Sequence, residues 1–487
     1  MKYLFLLPLI LLGCQSGNTD QPVVEEDPFI AGITNGLQPN LMIEGREYPT
    51  YSIPQRMEQF RVPGVSIAFF ENNEIIWTRT FGYIDGKGSN PVDENTRFQA
   101  ASISKPVAAS GMMKLVEEGT LDLDADINDY LEDLRIETFT PAYEVSPAEE
   151  KVTLRRLVTH TAGLTVHGFG GYAEGDDVPT TLQVLRGEDP ANSPAVVLDT
   201  IPGSIWRYSG GGYTLMQYVI EENINPSFPD YMQETVLTPA GMENSTYEQP
   251  LPAEMAENTA VGHRQDGSAV AGNWHTYPEK AAAGLWTTPS DLARWAMTIQ
   301  RAYNGSESEF IKPETAQQIL SKHLGDWGLG PGLRGEGDSL VFQHGGSNEG
   351  YKCNLVAFAG GKRQGVAIMT NGDLGSPLIA EIIVSIDKAY GWNMFSPTVK
   401  TSIDMSAEEL EEYSGVYGQG DSDFELIIYV EDGELKSRID DDVFILYPEK
   451  TDVFFDSRDV QTINFLRNDE NNITAFEVNG RVFDKKD

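Results

Sequence analysis

Two hairpin signals bracket a long stretch of this chain, and they constrain its architecture more than any other feature. Val65 to Glu71 and Ile75 to Tyr83 are β-rich runs joined by Asn72-Asn73. Asn354 to Ala359 and Gly365 to Thr370 are two more, with Gly360-Gly361 in the turn. A strongly apolar helix, Leu378 to Tyr390, follows the second hairpin. One antiparallel sheet with helices packed on it is the simplest arrangement that buries all of these. It also lays the two ends of the domain side by side. Between the hairpins, residues 104–118 read as a helix, with Val107, Ala108, Gly111, Met112, Leu115 and Val116 on one face and Gly119 at the C-terminal cap position. A mixed, loop-rich region runs to about residue 280. Thr288-Pro289-Ser290-Asp291 then reads as a helix start, and Leu292, Trp295, Ala296 and Ile299 supply its buried stripe.

The texture changes at Trp392 to Asp404, a Pro- and Ser-containing break. Beyond it, short β-rich runs recur at Phe424–Val430, Val443–Tyr447, Val453–Phe455, Ile463–Leu466 and Thr474–Val478, with a hairpin turn at Asp432-Gly433. Residues 401–487 hold 23 acidic and 8 basic side chains, a net of −15. The expectation is a linker over 396–404 and a small acidic β-barrel over 405–487, after an α+β domain over 45–395.

The chain as a whole carries 35 Lys and Arg against 74 Asp and Glu, a net charge of −39, which excludes nucleic acid and disfavours tight docking on anionic lipid. Hydrophobic residues at 40% and charged residues at 22% argue against general disorder. The start reads as an export signal: Lys2, then the apolar run Tyr3 to Leu12, then Leu11-Leu12-Gly13-Cys14, which resembles a bacterial lipobox. The expectation is a signal peptide over 1–13, lipidation at Cys14, a tether over 14–44 that is polar and Pro-containing from Gln15 to Asp27, and a protein held at the periplasmic or outer-membrane face by that anchor alone. The only other cysteine is Cys353, so with Cys14 lipidated no intrachain disulfide can form. Cys353 lies in an apolar stretch and reads as a buried, inert thiol.

Chemistry concentrates at Ser102-Ile103-Ser104-Lys105, where the helix of 104–118 begins. Ser and Lys three apart share a helix face. A helix N-terminus is electropositive and offers free N–H groups to an oxyanion. A lysine buried there has a lowered pKa and can take the serine proton. Spacing alone is weak, because Ser385-Ile386-Asp387-Lys388 repeats it on an apolar helix and reads as a helix face only. The first copy has two partners. Tyr208-Ser209-Gly210-Gly211-Gly212-Tyr213 offers a tyrosine whose pKa a nearby lysine would depress, and glycines that let backbone approach a ligand. His344-Gly345-Gly346-Ser347 leads into a strand and leaves room for a substrate to pair with its edge.

In this order the three motifs resemble the serine β-lactamase-related family of class C β-lactamases, DD-peptidases, family VIII esterases and D-aminopeptidases. Leu157-Val158-Thr159-His160-Thr161-Ala162-Gly163-Leu164 and Ala283-Gly284-Leu285-Trp286-Thr287-Thr288 are similar to family stretches as well. The resemblance covers about residues 45–395, and the tail resembles a β-barrel often appended to such hydrolases. It implies a β-lactamase- or transpeptidase-like fold, an antiparallel sheet flanked by helices with an all-helical subregion. It implies Ser102 as acylated nucleophile, Lys105 as its base or proton relay and Tyr208 as second acid/base. The N–H groups of Ser102 and Ser347 would form the oxyanion hole, with His344 in place of a third-motif lysine beside Gly346. Two departures matter: Gly210 stands where the family usually has Asn, and His344 where the true β-lactamases have Lys. Both weaken the case for β-lactam hydrolysis.

The expected function is a serine hydrolase acting through an acyl-enzyme on peptide, amide or ester substrates, plausibly D-residue or cell-wall-derived peptides. A small-ester carboxylesterase and a non-turnover penicillin-binding sensor are the alternatives. No cofactor or metal is expected. Asp122, Asp124 and Asp126 alternate like a calcium loop but lack its glycine and closing Glu, and the histidines show no metal spacing. Gly337-Asp338-Ser339-Leu340 reads as a turn, and His160 as a structural hydrogen-bonder.

Overall fold

The computed structural model describes residues 27–136, 151–306, 308, 310–419, 425–439, 442–457 and 461–486. Its centre is a six-stranded antiparallel sheet built from β1 (Gly64–Glu71), β2 (Glu74–Gly82), β3 (Gly332–Arg334), β4 (Val341–Asn348), β5 (Tyr351–Phe358) and β6 (Gln364–Thr370). The spatial order is β2-β1-β6-β5-β4-β3. Both expected hairpins are present, and they meet: β1 pairs with β6 from Val65↔Thr370 to Glu71↔Gln364. The first hairpin turns tightly because Asn72 and Asn73 both take positive φ, 51° and 70°, which matches the twist of the strands they join. One face of the sheet carries α1 (Ser104–Glu117) and α3 (Pro289–Tyr303), and α2 (Gly210–Asn223) packs beside α1 within the same core. The expected stripe of α3, Leu292, Trp295, Ala296 and Ile299, is wholly buried. The other face carries α4 (Gly375–Tyr390).

The segment expected to be a tether is packed from Pro28 onward. Pro28–Thr34 is a short helix, capped by the Asp27 carboxylate, and it buries Ile30 and Ile33 against α4. Ser385 donates to the Ile33 carbonyl at 2.8 Å, so the second Ser-x-x-Lys copy is indeed a packing face. Leu41–Ile43 forms a parallel pair with Thr398–Lys400, inside the stretch expected to be a linker. The tether expectation rested on the polar run Gln15 to Asp27 and the linker expectation on the Pro and Ser of 392–404; past Asp27, Ile30, Ile33 and Leu37 supply enough apolar surface to order the chain. The stretch expected to be a signal peptide, and Cys14, lie outside the described residues.

A buried ion pair fixes α4 to the helix Ile53–Gln59. Arg56 Nε and Nη2 donate to the two Glu381 oxygens at 2.7 and 2.6 Å, and both side chains are buried. Tyr51 stacks under the guanidinium at 3.9 Å. Removing one partner strands the other charge, so Glu381→Ala should cost about 3–5 kcal/mol. A fall in the urea midpoint with unchanged slope would show it. Glu381→Gln should lose less, because its amide oxygen still accepts from Arg56.

The tail forms a closed barrel of eight antiparallel strands: β7 (Gly415–Gly418), β8 (Glu425–Glu431), β9 (Glu434–Ile439), β10 (Asp442–Lys450), β11 (Val453–Asp456), β12 (Thr462–Arg467), β13 (Ile473–Val478) and β14 (Arg481–Lys486). β14 closes onto β7. Tyr413, Tyr417, Phe454, Phe465 and Phe476 fill it. The barrel is joined to the first domain by Ile403 N–H to the Pro448 carbonyl at 2.9 Å and by Lys400 to Glu449 at 3.1 Å.

Candidate active site

The nucleophile candidate sits on a strained turn. Ala101, immediately before Ser102, has φ of 49°, unusual for a residue with a side chain. A 3₁₀ turn over Ala101–Ile103 then runs into α1. The turn is tied down by Ser104, whose hydroxyl donates to the Ala101 carbonyl at 2.5 Å and accepts from Leu285 N–H at 3.0 Å. This is where the Ala283–Thr288 stretch enters: its backbone frames the turn. Lys105 is 2% exposed. Its Nζ donates to Ser102 Oγ at 3.0 Å and to the Ala282 carbonyl at 2.7 Å. It pairs with no carboxylate among the described residues, and burial alone pulls its pKa down to about 7. Near neutral pH a large share of Lys105 is therefore the free amine, which can accept the serine proton.

Tyr208 is brought to the same point. It lies half-buried, with its ring 5.0 Å from Lys105 Nζ and its hydroxyl in hydrogen-bonding relation to Ser102. The sequence reading expected a depressed phenol. Burial pushes the hydroxyl well up instead, because no ion pair offsets the loss of water. Tyr208 thus keeps its phenolic proton. His160 positions it. The imidazole accepts Ser209 N–H at 3.1 Å through Nδ1 and packs 4.2 Å from the Tyr208 ring, so it is the structural hydrogen-bonder expected. The glycines do not open the backbone to a ligand. They form the first turn of α2, where a Cβ at Gly210 would meet the His167 carbonyl at 3.0 Å, and one at Gly211 would meet Val196 at 2.8 Å.

The third motif lies on β4. A Cβ at Gly346 would meet the Ala100 carbonyl and Cys353 Sγ, each at 2.3 Å, so glycine is what lets this strand lie against the nucleophile turn. His344 and Ser347 line the same cavity as Ser102 and Lys105, and Ser347 is exposed there. His344 Nδ1 meets the Gly345 carbonyl at 2.6 Å. Burial, and then the charge of Lys105, pull its pKa down to about 3, so it is neutral. Cys353 donates to the Ala100 carbonyl at 3.0 Å, and burial pushes its thiol up; it is a packing residue.

The cavity holds 1170 Å³. Sequence reading missed much of its wall: His167, Trp206 and Trp327 around Tyr208, and Arg334 and Phe395 farther off. The two tryptophan rings pack at 5.3 Å, tilted by 46°, and Trp327 meets His344 edge-on at 5.6 Å. Isolated aromatic residues in loops carry no periodic signal that would have found them. Elsewhere, Asp124 is held by Arg155 at 2.7 Å, Asp126 caps a short turn, and Gly337–Ser339 is a 3₁₀ turn.

The profile of the Beta-lactamase family matches residues 52–386. Among curated proteins, the chain is 27% identical over 199 residues to penicillin-binding protein 4* of Bacillus subtilis (strain 168), covering 40% of this chain and 41% of that protein. The chain thus spans about two fifths of that relative's length. Among solved structures, the octameric penicillin-binding protein homologue from Pyrococcus abyssi matches with a TM-score of 0.60 at 21% identity, over 89% of this chain and 98% of that one. A class C beta-lactamase matches at 0.54 and 22%, over 69% and 93%. At these identities the structural matches speak for the fold.

Proposed function

The chain belongs to the β-lactamase family, and from that premise we propose that it is a serine hydrolase that forms an acyl-enzyme at Ser102. One observation carries the reading: the buried Lys105 amine lies 3.0 Å from Ser102 Oγ, with no carboxylate among the described residues to hold its proton. Lys105 takes the hydroxyl proton as Oγ attacks the substrate carbonyl. The oxyanion is received by the N–H groups of Ser102 and Ser347. Tyr208 donates its phenolic proton to the departing oxygen or nitrogen, and the proton on Lys105 returns to Tyr208. Water then enters and attacks the acyl carbonyl, giving a proton to the same pair, and the pair returns it to Ser102 Oγ as the C–Oγ bond breaks and the acid leaves.

Substrates are peptides, amides or esters, with D-residue or cell-wall-derived peptides as the first candidates. A second reading, an esterase on small acyl groups, is favoured by Gly210. The space of a side chain there is filled by the His167 carbonyl and Phe169, so no amide group contacts the substrate from that position. We place the enzyme on the outer side of a bacterial membrane, anchored through Cys14.

Intact mass after incubation with a fluorophosphonate should show one adduct on the wild type and none on Ser102→Ala. Labelling of both, or of neither, would remove Ser102 from the mechanism. Under the same conditions a lasting penicillin adduct points to a slow-turnover, penicillin-binding site, and its absence to an esterase or aminopeptidase.

A further inference from the structure

The cavity is too large for one small acyl group, since single-ligand pockets usually hold about 300–1,000 Å³. Strand register shows where the extra space lies. β3 pairs only with Val341, Phe342 and Gln343 of β4, so the edge from His344 to Asn348 has no neighbouring strand. Side chains alternate along β4. Phe342 faces the α1 side and packs in its core, whereas Val341 packs on the α4 side. His344 therefore faces Ser102, and Gln343, Gly345 and Ser347 face α4. Residues from both faces line one cavity. It crosses the sheet edge at Gly345, where an added Cβ would meet nothing nearer than 3.7 Å.

The chamber on the far face is a built space. Its inner wall is α4, through Ile379 and Ile383. Its outer wall is the segment Asn393–Ser396. Asp387 at the end of α4 holds that segment by accepting three N–H groups, those of Met394 and Phe395 at 2.8 Å and that of Asn393 at 3.2 Å. Arg334 projects here from β3, on the face of its register partner Val341. The guanidinium lies 5.4 Å from the Phe395 ring centroid. It makes no hydrogen bond or ion pair among the described residues, in a chain with 74 acidic side chains. On the other face Lys105 is committed to Ser102 and Ala282, and His344 carries no charge. Among the described residues lining the cavity, Arg334, an exposed side chain, is thus the permanently charged cation that is free to meet an anion.

We propose that this second chamber is a subsite for a carboxylate carried by an extended substrate, and that Arg334 anchors it. The register sets the spacing. Arg334 lies opposite Val341, three residues from His344, which is about 10 Å along the strand. The anchored carboxylate is therefore roughly three residues, or an eight-carbon chain, from the bond that is cut, not beside it. The intervening chain crosses the open edge at Gly345 and lays apolar groups against α4. This assignment rests on the serine-hydrolase reading for its chemistry and on Arg334 alone for its anion.

Binding separates the two. N-Acetyl-tetraalanine and its C-terminal amide would be titrated calorimetrically into Ser102→Ala and into Ser102→Ala/Arg334→Gln. The free acid should bind about tenfold more tightly than the amide to the first protein. That advantage should vanish in the second and shrink with added salt. Equal binding of acid and amide, or an advantage that survives Arg334→Gln, overturns the subsite whatever the enzyme's activity. In turnover, the p-nitrophenyl half-ester of suberic acid and its methyl ester test the same point. Arg334→Gln should raise KM about tenfold for the acid and less than twofold for the methyl ester, with the fluorophosphonate labelling rate unchanged. Equal losses on both esters would also overturn it. If Ser102 fails to label while the acid still binds through Arg334, the hydrolase reading falls and the subsite stands.

Discussion

Lys105→Met should lower the rate of Ser102 acylation by about 10³-fold or more and still leave the folded protein more stable. Lys105 is neutralised by burial, with a native pKa of about 7 against an ordinary 10.5. Between those values the unfolded chain binds a proton that the native state does not. Stability contributed by this residue therefore rises with pH across that window and is lowest below it. At pH 7 the burden is about 4 kcal/mol. Methionine removes it, while the lost hydrogen bonds to Ser102 and the Ala282 carbonyl return about 1–3 kcal/mol of it. The net gain is about 2 kcal/mol at pH 7, and it should shrink toward pH 10. Urea midpoints at pH 7 and 9.5 measure this; a variant less stable than the wild type at pH 7 would contradict it. The wild-type acylation rate should rise about tenfold per pH unit up to pH 7 and then level off, since it is the free amine that accepts the proton.

Gly346→Ala should be nearly as damaging by another route. Its Cβ would lie 2.3 Å from the Ala100 carbonyl, which is backbone and cannot swing aside. Either β4 or the turn at Ala101–Ile103 must move, and the two carry the opposite halves of the proposed oxyanion hole. A shift of about 1 Å there costs about 100-fold in kcat/KM, with about 1–3 kcal/mol of strain. Adding Cys353→Ala relieves only the sulfur contact. It should restore some stability and little rate. Full recovery of rate in the double variant would show that the sulfur, not the backbone, sets the distance.

The legible parts of this molecule are those where a local rule and a tertiary demand agree. The two hairpins were readable because Asn72-Asn73 and Gly360-Gly361 punctuate strongly β-forming runs, and the sheet followed from them. The Ser-x-x-Lys pair was readable because its spacing coincides with a helix start. Within the barrel, β9 (Glu434–Ile439) escaped notice because it is a charged strand with few apolar positions. The helix Pro28–Thr34 follows a polar stretch and is too short to show a helical period, and the face of α4 that it covers explains it. At the site, the state of Tyr208 could not be read from its neighbours in sequence. A lysine nearby argued for a lowered pKa, but the dominant influence is burial, which depends on His160, His167, Trp327 and His344 arriving from distant parts of the chain. Arg334 was silent for a similar reason: its proposed role rests on its having no acidic partner among the described residues.

The parallel pair of Leu41–Ile43 with Thr398–Lys400 has a mechanical consequence. The first strand enters the pair from the N-terminal side, and the second leaves it toward the barrel. Tension applied between the chain ahead of Leu41 and the barrel would slide these strands past one another, loading their hydrogen bonds together, including Thr398 N–H to Asn40 and Glu44 N–H to Lys400. Bonds loaded in shear resist as a group, whereas bonds peeled from one end fail in turn. Such a pull runs through this clasp and not through β4 or the Ser102 turn, so the geometry around Ser102 is shielded from force between the chain ahead of Leu41 and the barrel.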